Sequence, residues 1–149
     1  MKRIIMMAAT LGLFGCSTLT LQPADFSWPV ESILKADANG MVSETRFAVS
    51  FSIAELLTKE HGMIDSAAGA TVRIIRDREG YYYVTGPTFK NVYVLTAGDG
   101  ALKQYRKIEI GETAMTDPKF NQRDSFIELV NGQATLALTK DGITEGDKK

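Results

Sequence analysis

The sequence predicts an all-β fold: an antiparallel β sandwich of about eight strands in hairpins with one short helix, a small β barrel being the alternative. Three observations carry this. Short runs of alternating apolar and polar residues recur along the chain, and turn signals close them at Asn39-Gly40, Asp77-Arg78-Glu79-Gly80, Gly98-Asp99-Gly100 and Asn131-Gly132. One stretch, residues 52–61, changes to helical spacing. The chain of 149 residues is long enough for one domain with its own core.

The chain opens with Lys2 and Arg3, an uncharged apolar run from Ile4 to Phe14, and Gly15 before Cys16, its only cysteine. On Leu13, Gly15 and Cys16 this start resembles a bacterial lipoprotein signal peptide with its lipobox. Phe14 departs from the pattern, which has a smaller residue there. The resemblance implies that residues 1–15 are removed, that Cys16 takes a diacylglycerol on its sulfur, and that the new amino terminus is acylated. Several acyl chains together anchor a protein stably. Ser17 stands where aspartate would mark retention in the inner membrane, so the resemblance favours the outer membrane, facing the periplasm. Other readings fit less well. A spanning helix needs about 20 apolar residues and the run is far shorter. An ordinary secretory signal would leave one unpaired thiol in an oxidising compartment.

Residues 16–27 are then the lipidated cysteine and a tether. The tether carries Pro23 and no sustained periodicity, and residues 17–27 reach at most roughly 36 to 40 Å when fully extended. The β domain is expected over residues 28–139 and a polar tail over residues 140–149.

Within the domain, residues 28–53 read as a hairpin about Asn39-Gly40. Pairing Ala38 with Met41 sets Lys35 against Glu44 and Val30 against Val49, with Trp28, Val30, Leu34, Phe47, Val49 and Phe51 on one face. The alternative is that the two strands belong to different partners. In residues 52–61, Ser52 and Glu55 have capping-box spacing and Gly62 falls at the C-cap, so a short helix is expected with Ile53, Leu56 and Leu57 on one face. A continued strand is the alternative.

Residues 70–85 form a second hairpin, in which Arg76 opposite Tyr81 would place Ile74 beside Tyr83. Both faces carry bulk, as in a strand pair inside a sheet. The run 72–82, in which a charged turn with Gly80 leads into Tyr81-Tyr82, resembles transthyretin-like and other immunoglobulin-like repeats. That resemblance implies a sandwich and no particular function. Residues 92–96 turn at Gly98-Asp99-Gly100 into 102–110, where Lys103, Tyr105, Lys107 and Glu109 are expected to point outward together. After a polar connection over 111–124, Asn131-Gly132 joins the last hairpin, with Ile127, Leu129, Ala134, Leu136 and Leu138 on one face.

Removal of Lys2 and Arg3 with the signal leaves 15 basic residues of the original 17 against 18 acidic ones. A formal charge near −3 provides no basic stripe for nucleic acid, which is not expected as a partner. With Cys16 consumed by lipid and His61 the single histidine, no metal or other cofactor is expected. His61 falls in the last turn of the expected helix, where an imidazole interacts favourably with the dipole. Gly98-Asp99-Gly100 lacks the flanking carboxylates of a calcium loop, and neither a Gly-x-Ser-x-Gly elbow nor a phosphate loop occurs. The expected character is therefore non-enzymatic. Tyrosine suits interfaces because its ring packs while its hydroxyl stays wet. Tyr82, Lys103, Tyr105 and Lys107 are accordingly the candidate binding surface, with the membrane (through Cys16) and an envelope protein as partners. An envelope lipid, glycan or peptidoglycan fragment is the alternative ligand.

Overall fold

The computed structural model describes residues 26–145; the lipobox, Cys16, most of the tether and residues 146–149 lie outside them. The elements in order are β1 (Ser32–Lys35), β2 (Met41–Glu44), β3 (Val49–Ser52), α1 (Ala54–His61), β4 (Thr71–Arg76), β5 (Tyr82–Thr85), β6 (Asn91–Gly98), β7 (Ala101–Glu109), β8 (Pro118–Gln122), β9 (Ile127–Asn131), β10 (Ala134–Thr139) and β11 (Gly142–Thr144). They make antiparallel sheets: five strands ordered β1-β4-β5-β6-β7, four ordered β11-β10-β9-β8, and the ribbon β2-β3, none closed into a barrel. The fold is thus all-β and sandwich-like, with more strands than the eight expected.

Alternation along the five-stranded sheet sorts it into two buried faces. Val72, Ile74, Val84, Tyr93 and Leu95 lie under the β2-β3 ribbon and α1, while Ile75, Tyr83, Val92, Val94 and Ile108 lie against the four-stranded sheet. Because β5 is covered on both sides, each of its four residues is buried, which is why its sequence shows bulk on both faces.

The first hairpin is a correction. The chain does reverse at Asn39-Gly40, where Asp37 Oδ1 accepts the N–H groups of Asn39 at 2.8 Å and Met41 at 2.9 Å. The strands on either side then part: β1 pairs with β4, Leu34 opposite Val72, and β2 pairs with β3, Met41 opposite Ser52. The expected Lys35 to Glu44 pair does not form. Asp37 N–H donates to Met41 O at 2.9 Å across the turn, but no β1-β2 ladder follows, and the Gly40 carbonyl accepts Ile53 N–H at 3.0 Å from the ribbon side.

Registers differ elsewhere for local reasons. Asp77 and Tyr81 close the β4-β5 turn, Asp77 Oδ1 accepting Tyr81 N–H at 2.9 Å, so Arg76 stands opposite Tyr82 and Ile75 opposite Tyr83. That one-residue slip exchanges the faces expected for the tyrosines. In the last hairpin Gly132, at φ +63°, takes the first central turn position, so Asn131 pairs with Ala134 and Leu129 with Leu136. This slip of two preserves the face: Ile127, Leu129 and Leu138 are buried as expected, while Ala134 is exposed. Residues 140–144, expected as tail, instead turn back to pair β11 with β10.

Helix α1 forms with Leu56 and Leu57 buried beneath it, and the Gly62 N–H donates to Thr58 O at 2.9 Å. The capping box does not form. Ile53 is the N-cap, Ser52 Oγ accepts Ala54 N–H at 3.3 Å, and Glu55 pairs with Lys59 one turn on.

Candidate binding cleft

The ribbon and helix cover one face of the five-stranded sheet but stop short of the β6-β7 tip. What remains is a cleft of two adjoining hollows, 560 and 280 Å³, which share Ser50, Gly100, Ala101 and Leu102. Phe51 and Leu56 form one wall of the larger hollow, and Leu95 and Leu102 the other. Tyr82, Ala97 and Phe47 line the smaller. Two outer strands border the opening: β3 is an edge of its ribbon and β7 is an edge of its sheet. Such strands present unpaired backbone groups to whatever enters between them. The β6-β7 tip is made by a two-residue turn in which Asp99 and Gly100 both have positive φ, 52° and 75°.

The polar groups of the cleft are largely committed. Lys59 Nζ meets Glu55 Oε1 at 2.6 Å and donates to Gln104 Oε1 at 2.7 Å, strapping α1 to β7 across one end. Ser50 Oγ reaches Ser43 Oγ at 2.9 Å and Val42 O at 3.2 Å within the ribbon. The walls therefore offer apolar area without an excess of charge.

Beside the smaller hollow runs a ladder of rings and guanidinium groups. Trp28, 2% exposed, stacks on Phe47 with centroids 4.1 Å apart and planes 12° apart, and meets the edge of Tyr82 at 5.6 Å. Arg76 lies 4.9 Å from the rings of both Tyr82 and Phe26, and Arg46 lies 5.4 Å from Phe47. Arg46 also holds the buried Glu44. Its hydrogen bonds to that carboxylate outweigh the effect of burial and lower the Glu44 pKa to about 2.

The expected surface of Tyr82, Lys103, Tyr105 and Lys107 is not a single surface, and this is a second correction. Tyr82 is only 5% exposed and lies on the ribbon side of the sheet. In β7 the pairing runs Val94 with Arg106 and then Leu95 with Gln104, so Tyr105 is the extra residue of a β-bulge. The bulge inverts the alternation: Lys107 shares the ribbon side with Tyr93, while Lys103 stands opposite Thr96 and borders the larger hollow beside Leu102 and Gln104. Lys103 pairs with Asp99 at 2.6 Å and Lys107 with Glu109 at 2.9 Å. Tyr105, 45% exposed, packs at 5.0 Å on Tyr81, whose ring lies 5.6 Å from Lys140 Nζ. Phe47, Phe51 and Leu102 were not singled out by sequence. The alternation Phe47-Val49-Phe51 is the signal the sequence carries, and in the expected hairpin register it reads as a core face.

His61 Nε2 lies 3.1 Å from Thr88 Oγ1, and its ring meets Phe89 edge-on. Among the described residues no group of three His, Cys, Asp or Glu side chains is placed to hold a metal ion, and no helix is long and apolar enough to cross a membrane. Cys16 lies outside those residues. Compared with models of protein families, with curated proteins and with solved structures, the chain finds no match.

Proposed function

We propose that this protein is a lipid-anchored component of a bacterial cell envelope, held through Cys16 to the outer membrane on its periplasmic side, which works without catalysis by gripping a segment of a partner protein. The observation that carries the contact reading is the cleft between β3 and β7: apolar walls about Phe51 and Leu102, with two outer strands along its mouth. That combination suits an extended polypeptide, because a strand edge supplies main-chain hydrogen bonds and the apolar walls take alternate side chains. The sequence supports the anchor through Leu13, Gly15 and Cys16. A second reading, an envelope lipid or glycan fragment as ligand, draws on the same apolar walls, which would accept an acyl chain.

The test is photocrosslinking in intact cells from a photoreactive residue at Ser50, compared with one at Thr135, which alternates away from the buried face of β10. An adduct of discrete protein size from Ser50 and none from Thr135 is the expected result. A lipid-sized adduct without a protein one would count against the protein partner, and no adduct from Ser50 would contradict both readings.

A further inference from the structure

We infer that the end of the domain carrying Phe26, Arg46, Phe47 and Arg76 rests on the membrane, with lipid headgroups and the upper acyl chains as its partner; this rests on the proposed anchoring through Cys16. Among the described residues, Phe26 and Phe47 are two of the seven large apolar side chains left exposed, and both lie against the ladder of Trp28 and Arg76. Phe26 is 48% exposed and Phe47 38%. Phe47 is held outward by structure: the following residue, Ala48, sits at φ +52°, a conformation that L side chains rarely adopt, and Trp28 backs the ring.

The position of this patch follows from where the chain enters the fold. Trp28 N–H donates to Arg76 O at 2.8 Å and the Trp28 side chain is buried, which fixes the entry point beside the aromatic ladder. Nine residues, 17–25, separate Cys16 from Phe26, and they reach at most roughly 30 to 32 Å. An acylated Cys16 therefore keeps the domain within that reach of the bilayer, and this end, where the chain enters, has the shortest path to it. By strand direction the loop after α1, with Met63 at 99% exposure, lies at the opposite end.

The chemistry suits a lipid surface. Aromatic rings settle at the boundary between headgroups and acyl chains, and arginine can keep its stem there while its fork meets phosphate. Of the nearby carboxylates, Glu44 is paired with Arg46, Glu79 with Lys140 and Asp124 with Arg78, while Asp77 accepts hydrogen bonds from the Tyr83 hydroxyl and the Tyr81 N–H. Three of these four carboxylates thus bring their own cation to this end.

The test uses the acylated protein, purified from membranes and reconstituted into vesicles of phosphatidylethanolamine and phosphatidylglycerol containing nitroxide-labelled lipid. With Cys16 acylated, a cysteine introduced as Phe47→Cys or Met63→Cys is the only thiol for an environment-sensitive fluorophore. Quenching several-fold stronger at position 47 than at 63, with a blue-shifted emission at 47, is expected. Trp28, the only tryptophan, reports independently in the unmodified chain, and its emission should be quenched by nitroxide placed near the headgroup. Vesicles that float with their protein but show equal quenching at both positions and none at Trp28 would overturn the inference and leave the anchor standing. Protein that carries no acyl group and does not float would remove the anchor, and the inference with it.

Discussion

Arg46 closes a fork on Glu44 two residues before it: Nε and Nη2 donate to the two carboxylate oxygens at 3.0 and 2.9 Å, and the same Nη2 reaches Ser32 Oγ at 2.7 Å. The turn between β2 and β3 is thereby tied to β1, and Phe47 is left with one ring face stacked on Trp28 and its side chain still exposed.

The pair gives stability a defined acid limb. Its folded pKa of about 2 lies below the ordinary 4.5, so Glu44 stabilises the fold fully above about pH 4.5, and the contribution is lost as pH falls toward 2. Glu44→Gln is expected to lower unfolding free energy at neutral pH by about 2 kcal/mol and to flatten the acid limb. Urea titrations at several pH values check both.

Arg73 holds the two large sheets together. Its guanidinium bonds Glu31 and lies 3.0 Å from Asp117, while Glu31 Oε2 accepts Phe120 N–H at 2.9 Å, linking β4 to β8. Arg73 is only 12% exposed, so Arg73→Met leaves Glu31 without its cation and is expected to cost about 3 kcal/mol. Adding Glu31→Gln should restore part of that loss in a double-mutant cycle.

Gly40 and Gly98 separate two kinds of glycine. At φ +76° a Cβ on Gly40 would stand 2.8 Å from the Ala67 Cβ, whereas Gly98 faces open space. Gly40→Ala should cost about 2 kcal/mol or more, combining left-handed strain with the clash. Gly98→Ala should stay within about 0.5 kcal/mol. Thermal unfolding of both variants decides.

Tyr83 and Tyr93 set an alkaline limit. Burial foremost, then the carboxylate of Asp77 beside Tyr83 and of Glu60 beside Tyr93, hold both phenols protonated well above their ordinary pKa of 10. Stability they confer is present below pH 10 and falls as pH rises beyond it. Tyr83→Phe and Tyr93→Phe should leave the phenolate absorbance of the folded protein unchanged up to alkaline unfolding, because neither ring ionises before then. An absorbance titration at the phenolate band is the check.

Local chemistry made much of the fold readable in advance. Asp99-Gly100 supplied two positive-φ residues, Leu56 and Leu57 marked a helix face, and Asn131-Gly132 marked the last hairpin. Partners were harder to read than turns. Asn39-Gly40 reverses the chain wherever its flanking strands later pair, and β1 found β4 because Ser32, Leu34, Val72 and Ile74 share one buried face. The split of Lys103 from Lys107 hangs on a bulge opposite Val94 and Leu95, which leaves no mark in an alternating run. The cleft escaped notice because its walls come from segments about 50 residues apart in sequence, Phe51 with Leu102, joined only by tertiary packing.

Placement at a membrane underlies both the contact reading and the orientation of the aromatic end, so the state of Cys16 is the measurement that matters most. Metabolic labelling with a fatty acid, followed by intact mass determination of the purified protein, reads it directly. A mature chain beginning at Cys16 with acyl groups attached, and a Cys16→Ser variant that remains unprocessed and unlabelled, is the predicted result. A chain that keeps Met1, or one released with a free Cys16 thiol and no acyl mass, would contradict the account.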